Sequence, residues 1–138
     1  MDAGIIVLFA AILIVGALLF AIITFGKRGG GLDVEKYRSK WLAIEQSVVR
    51  DNEASCHMAI LNADKLVDQA LTDKGFKGQT MGERLKSAKA ALPHRDNIWQ
   101  AHKLRNRIAH EPDIKVSYDL TRRALAQFKQ TLKDLGAI

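Results

Sequence analysis

The chain has 138 residues, a formal net charge of +6 and one cysteine. This length accommodates one domain beside a targeting segment, and a single cysteine excludes an internal disulfide. The charge is unevenly distributed, because residues 32–138 hold 19 of the 21 basic and 14 of the 15 acidic side chains, a net of +5. That mild excess allows an anionic partner such as RNA, but it is equally typical of solvated lysine-rich helices.

The N-terminal stretch predicts a membrane anchor. The 22 positions from Gly4 to Phe25 are uncharged, and as a helix they would be about 33 Å long, enough to cross the hydrocarbon core. A cleaved signal peptide would have a basic start and a shorter apolar run, whereas this chain begins Met-Asp-Ala. Lys27 and Arg28 follow the run, and the positive-inside rule then puts the C-terminal side in the cytoplasm.

We therefore expect a single-pass protein of the cell membrane with its N-terminus outside. Its parts would be an anchor over 1–26, a basic, glycine-rich tether over 27–32 and a cytoplasmic helical domain over 33–138. Within that domain, apolar residues recur at helical spacing. The positions expected to face the core are Val34, Tyr37, Trp41, Ile44, Val48, Cys56, Ile60, Ala63, Leu66, Val67, Ala70, Leu71, Leu85, Ala88, Leu125, Phe128, Leu132 and Leu135.

Capping signals divide the domain into helices. Asp33 is a candidate N-cap for the first helix. The dipeptide Asp51-Asn52 interrupts the periodicity, which leaves open two helices or one kinked helix. Thr80-Met-Gly-Glu83 has the form of a capping box and predicts a helix over about 81–91. Asp96 is a candidate cap for the next helix, and a last helix is predicted over about 117–135.

The fold class predicted from these elements is all-α. No segment shows sustained strand alternation, so we expect an N-terminal transmembrane helix followed by a bundle of four to five helices. About 105 residues are enough for an independent core in such a bundle.

Residues 99–111 concentrate the polar chemistry of the chain on the fourth helix of this bundle. At about 100° per residue, its apolar positions share one side. His102, Asn106 and His110 share a different side with Trp99, and Arg105 lies at the border between the two sides. Glu111-Pro112 is expected to end the helix, because proline disfavours helical geometry in the preceding residue. The apolar positions are Ala101, Leu104 and Ile108.

Several kinds of site are not indicated by the sequence. It contains no Cys/His pattern with zinc spacing and no glycine-rich nucleotide motif, so we expect neither a metal nor a cofactor. Arg105, Asn106 and His110 suit metal-independent RNA cleavage. A histidine can exchange a proton with a ribose 2′-hydroxyl or a leaving 5′-oxygen. An arginine can hold the phosphate, and an asparagine can fix the imidazole tautomer or bind a phosphate oxygen.

The run Arg105-Asn106-Arg107-Ile108-Ala109-His110 resembles the R-x4-6-H motif of the HEPN superfamily. It matches the variant with asparagine after arginine, late in a bundle of four or five helices. Residues 33–136 also resemble small bacterial proteins with one N-terminal anchor. The resemblance implies a homodimer whose motif helices face each other and form a composite ribonuclease site. Arg105 and His110 would then be catalytic and Asn106 supporting.

The resemblance also leaves two classes of function open, because some HEPN domains are inactive. The enzyme hypothesis predicts that residues 102–110 line a cleft, in a dimer if not in a monomer, with His110 reachable by solvent. His102 and Arg107 are candidate substrate-binding residues, and His102 and Glu111, which lie outside the motif, are candidates from helical geometry alone. The alternative is a non-catalytic, membrane-anchored module that binds a protein or RNA, with Arg105 and His110 buried and paired.

The expected partners are the membrane, RNA, a second copy of the chain and a protein such as an antitoxin. A third hypothesis, a lipid-facing regulator, would use a basic cluster near the anchor. That cluster consists of Lys27, Arg28, Lys36, Arg38 and Lys40.

Overall fold

The computed structural model describes residues 2–26 and 31–138, and every regular element in those ranges is helical. The chain divides into two compact units, one ending at Gly31 and the other spanning Leu32–Ile138. The predicted all-α class, with one N-terminal apolar helix and a helical bundle, is thereby confirmed. The basic flank Lys27-Arg28 and the following Gly29-Gly30, on which the predicted orientation and tether depend, lie outside the described residues.

The first unit consists of helix α1, Ala3–Gly26. The segment Ala3–Thr24 has a mean hydropathy of 3.2 and none of it is buried. By length and composition, α1 can cross a membrane. The cell-membrane location and the orientation stay predictions.

The second unit begins with α2, Val34–Ser47, and α3, Glu53–Asp73. The Asp33 carboxylate accepts the Lys36 N–H at 3.1 Å, which confirms the predicted cap. Asn52 caps α3 by accepting the Ser55 N–H at 3.0 Å. The interruption in the sequence pattern therefore separates two helices.

A short helix, α4, spans Met81–Ser87 and is followed by a 3₁₀ turn over Lys89–Ala91. Thr80 Oγ1 accepts the Glu83 N–H at 3.2 Å, as the capping-box pattern predicts. The predicted α-helix over 81–91 is thus α-helical in its first two turns and tightens into 3₁₀ geometry at its end, a common change at helix termini.

The last two helices are α5, Arg95–His110, and α6, Tyr118–Asp134. The prediction that Asp96 caps α5 is wrong, because His94 occupies the cap position without a side-chain cap. The His94 carbonyl already accepts the Asn97 and Ile98 N–H groups. Asp96 lies in the first turn instead, where its charge suits the helix dipole. Helix α5 ends at His110 as predicted.

Helix α3 is the centre of the second unit and packs against α2, α4, α5 and α6. Most of the positions predicted for the core are buried, with Val34 and Val48 half-buried at the ends of α2. The free thiol of Cys56 is among the buried groups. Helix α5 is fixed in the bundle by its buried Ile98 and Ala101. Its polar residues His102, Arg105 and Asn106 then lie beside α3 and the start of α4. The largest fully buried side chains are Tyr37, Phe128, Ile60, Leu71 and Leu85.

Candidate functional site

A polar cleft of about 680 Å³ lies between α3, α5 and the start of α4. Three of the five predicted site residues, His102, Arg105 and Asn106, line it. The other polar groups of its wall come from α3, from α4 and from the two residues before α4, and they are Asn62, Asp64, Lys65, Asp68, Gln79, Thr80 and Arg84.

Asp64 of α3 is a buried carboxylate that holds two of the predicted site residues. Its Oδ1 lies 2.8 Å from His102 Nδ1, and its Oδ2 lies 3.4 Å from Arg105 Nε. Buried carboxylates are rare unless paired, and here one carboxylate braces an imidazole and a guanidinium from another helix. Sequence reasoning missed Asp64. The available signal was the position of Asp64 on the apolar stripe of α3, four residues after Ile60 and three before Val67.

Asn106 continues this network on the surface of α5. Its Oδ1 accepts a hydrogen bond from Arg105 Nη1 at 3.0 Å, and its Nδ2 lies 3.4 Å from His102 Nε2. If Nδ2 donates there, the His102 proton is on Nδ1 and points to Asp64. Asn106 therefore contacts the histidine one turn before it, His102, whereas the sequence suggested an interaction with His110.

A second ion pair in the cleft joins Asp68 of α3 to Arg84 of α4. Arg84 Nε and Nη2 donate to the two Asp68 oxygens at 2.7 and 3.0 Å, a two-point contact. Arg84 also donates to the Gly78 carbonyl. Both cleft arginines, Arg84 and Arg105, thus have a carboxylate partner, so most of the positive charge in the cleft is compensated within the chain.

The remaining predicted residues, Arg107 and His110, lie outside this cleft. Arg107 Nε is 3.1 Å from Glu111 Oε1, and this hydrogen bond lowers the pKa of Glu111. His110 is exposed and borders a separate depression of about 440 Å³ with Arg107, Glu111 and Pro112. Five residues along a helix correspond to about 140° of rotation and about 7.5 Å of rise. Arg105 and His110 of one chain therefore face different directions.

The accessibility of these side chains bears on both hypotheses. His110 can be reached by solvent, and the Arg105 side chain is 36% exposed while paired with Asp64. His102 is buried. Within residues 2–26 and 31–138, no group of three or more His, Cys, Asp or Glu side chains is arranged to hold a metal ion.

We compared the chain with models of known protein families, with curated proteins and with solved structures, and none of the three comparisons gave a significant match. The resemblance of Arg105–His110 to the HEPN motif therefore stays a prediction from the sequence. The same holds for what that resemblance implies, namely a dimer and an RNA substrate.

Proposed function

We propose that this protein is a membrane-anchored, HEPN-like endoribonuclease that needs no metal ion and builds its site from two copies of the chain. The observation that supports it best is the placement of the motif on α5. Arg105 is braced by Asp64 at the edge of a polar cleft, and His110 is open to solvent on the same helix. A 2′-hydroxyl attack on phosphate can use both groups, the histidine for proton transfer and the arginine for the negative charge on the phosphate.

The role of each site residue in this proposal follows from the accessibility of its side chain. His110 accepts the 2′-hydroxyl proton as that oxygen bonds to phosphorus, and it returns a proton to the 5′-oxygen as the bond between phosphorus and that oxygen breaks. Arg105 holds the phosphate and stabilises the charge that develops on its oxygens. Asn106, which touches Arg105, keeps the guanidinium oriented. His102 is buried against Asp64 and acts as a positioning residue, while Arg107 binds substrate once it leaves Glu111.

The need for a second copy follows from the geometry of α5. Arg105 and His110 of one chain point about 140° apart, so they do not converge on one phosphate. Two α5 helices related by a two-fold axis can bring Arg105 of one copy toward His110 of the other. The anchor α1 favours this pairing, because confinement to a membrane raises the effective concentration of the chain.

The test is cleavage of total RNA in EDTA by the wild-type chain, Arg105→Ala and His110→Ala. We expect products with 2′,3′-cyclic phosphate ends from the wild type and none from either folded variant. His94→Ala is the matched control, because His94 is also exposed but pairs with Asp134 away from the cleft. Cleavage that persists in both motif variants would contradict the proposal.

Mixing the two inactive variants tests the composite site directly. A mixed dimer of Arg105→Ala and His110→Ala contains one intact pair of groups, so random exchange should restore about a quarter of the wild-type activity. A site contained in one chain predicts no restoration at all.

A second candidate function is a non-catalytic binding module. The observation that favours it is the network of Asp64, His102, Arg105 and Asn106, in which each side chain already contacts another. In that case the wild type would be inert toward RNA, and Arg105→Ala would only lower the melting temperature.

A further inference from the structure

A second groove, between α5 and α6, differs from the polar cleft in its charge. It has a volume of about 380 Å³ and lies on the other side of α5. Lys103, Arg107 and Arg123 line it, together with Leu104, Leu120 and Gln127, and none of its lining residues is acidic.

The positive charge of this groove is largely uncompensated. Among the ion pairs of residues 2–26 and 31–138, Arg107 pairs with Glu111. Lys103 and Arg123 have no carboxylate within 4.0 Å in that part of the chain. By contrast, each of the two cleft arginines forms an ion pair with an aspartate. An anion should therefore bind more readily in this groove than in the polar cleft, because Lys103 and Arg123 are not already paired with carboxylates of the described residues.

The floor of the groove is apolar. Leu104 and Leu120 are half-buried there, and Ala101 and Ala124 are buried beneath them. Cations along an apolar floor suit a chain that alternates phosphates with flat bases. At about 380 Å³ the groove is near the lower end of ligand-binding sites, a size that suits one or two nucleotides of a single strand.

The groove also lies next to His110 in the angular order of residues around α5. Going around α5 at about 100° per residue, His110 falls between Asn106 on the cleft side and Lys103 and Arg107 on the groove side. A strand that leaves the groove across α5 therefore passes the one motif histidine that is open to solvent.

We propose that the α5–α6 groove binds the backbone of single-stranded RNA and directs the strand to His110. Lys103 and Arg123 contact phosphates, Arg107 exchanges Glu111 for a phosphate, and the two leucines contact the faces of the bases. This inference rests on the proposed function for its choice of RNA as the anion.

The experiment measures binding of a labelled single-stranded RNA of about 12 nucleotides, within the range of a single-strand binding module. It uses the full chain in uncharged detergent with EDTA, in a His110→Ala background that prevents cleavage. The test variant adds Lys103→Gln and Arg123→Gln. The control adds Lys86→Gln and Lys89→Gln, which remove the same charge from exposed positions outside the groove.

We expect the groove variant to bind at least about tenfold more weakly and the control less than about twofold more weakly. Loss of two phosphate contacts should also reduce the slope of log affinity against log salt by about 1.4. Both variants should melt within about 2 °C of their parent, because the substituted side chains are exposed.

Equal weakening in the two variants would overturn the groove assignment, as would equal affinity for duplex RNA. Displacement of the RNA by polyglutamate of equal charge would instead assign the groove to an acidic protein. The two proposals fail separately. If the groove variant weakens binding but the wild type never cleaves, the nuclease proposal fails and the groove stands. If the wild type cleaves and the groove variant binds normally, the groove proposal fails alone.

Discussion

Asp64 connects helices α3 and α5 through two contacts that use different oxygens of one buried carboxylate. A buried charge is costly unless its partners remain in place, and loss of one partner exposes the rest to that cost. Of the two residues that this carboxylate contacts, Arg105 belongs to the sequence motif and His102 lies outside it. Asp64 therefore contributes both to the stability of the second unit and to the orientation of Arg105.

The first prediction at this scale concerns Asp64→Asn, which keeps the volume and removes the charge. We expect it to lower the unfolding free energy of Leu32–Ile138 by about 1–3 kcal/mol, because two charge-assisted contacts become neutral ones. Urea unfolding followed by circular dichroism measures this. Asp51→Asn, exposed and outside any ion pair of the described residues, is the control and should be neutral. Equal stability of the two variants would show that Asp64 is not a structural brace.

The second prediction concerns pH and Glu53. Its Oε1 accepts the Val116 N–H at 2.9 Å, which ties the start of α3 to the segment before α6. This hydrogen bond, and then nearby Lys115 and His57, lower the pKa of Glu53 below its ordinary 4.5. A lowered pKa stabilises the fold above the ordinary value, and that stabilisation is lost as the pH falls through the lowered pKa. Thermal melts should show Glu53→Gln less stable than wild type at pH 7, with the difference shrinking below pH 4.5. A difference independent of pH would contradict this origin.

At the scale of the element, the turn before α4 has a tight backbone approach at Gly78. A Cβ added to Gly78 would lie 2.8 Å from the Arg84 backbone N, a distance that requires the backbone to move. At Gly82, inside α4, a Cβ would meet Trp99 at 3.5 Å, which is ordinary contact. The two glycines are four residues apart but should respond to alanine in opposite directions.

We expect Gly78→Ala to destabilise Leu32–Ile138 by about 1–3 kcal/mol through overpacking. Gly82→Ala should stabilise it by about 0.5 kcal/mol, since alanine is the better helix former. Urea titrations of the two variants beside the wild type measure the sign of the change in unfolding free energy for each substitution. Stabilisation by both substitutions would mean that the turn adapts, and the tight approach would then have no energetic consequence.

The helices were predictable because their signals are local. The Asp33 and Thr80 caps and the Pro112 stop each depend on residues within one turn, and each lies where the pattern indicated. Asp96 was predicted wrongly because the His94 carbonyl begins the helix two residues earlier. The contact of Asp64 with His102 joins residues 38 positions apart, and helical periodicity carries no information about such pairings.

At the scale of the whole molecule, the chain joins one helix able to span a membrane to a separate compact unit. For an enzyme that needs two copies, the activity of the free unit should depend on the square of its concentration when dimers are rare. Anchoring to one surface raises the effective concentration of the copies, so dimers form at a bulk concentration at which the free unit is monomeric.

We therefore predict that the full chain in neutral vesicles cleaves RNA at concentrations where Leu32–Ile138 alone does not. The measurement is initial rate against protein concentration for both forms. Vesicles with the His110→Ala chain control for contaminating nuclease. First-order activity from a free unit that sediments as a monomer over the whole range would contradict a site built from two copies.

The central position of α3 has a consequence for how the second unit opens. Because α3 is covered by α2, α4, α5 and α6, its amide hydrogens should exchange with deuterium only through global unfolding. The two turns of α4 and the 3₁₀ turn after them are the shortest elements of the unit, and their amides should exchange fastest among the helices. One wall of the polar cleft can thus detach and return many times during the lifetime of the folded core, while the α3–α5 wall stays in place.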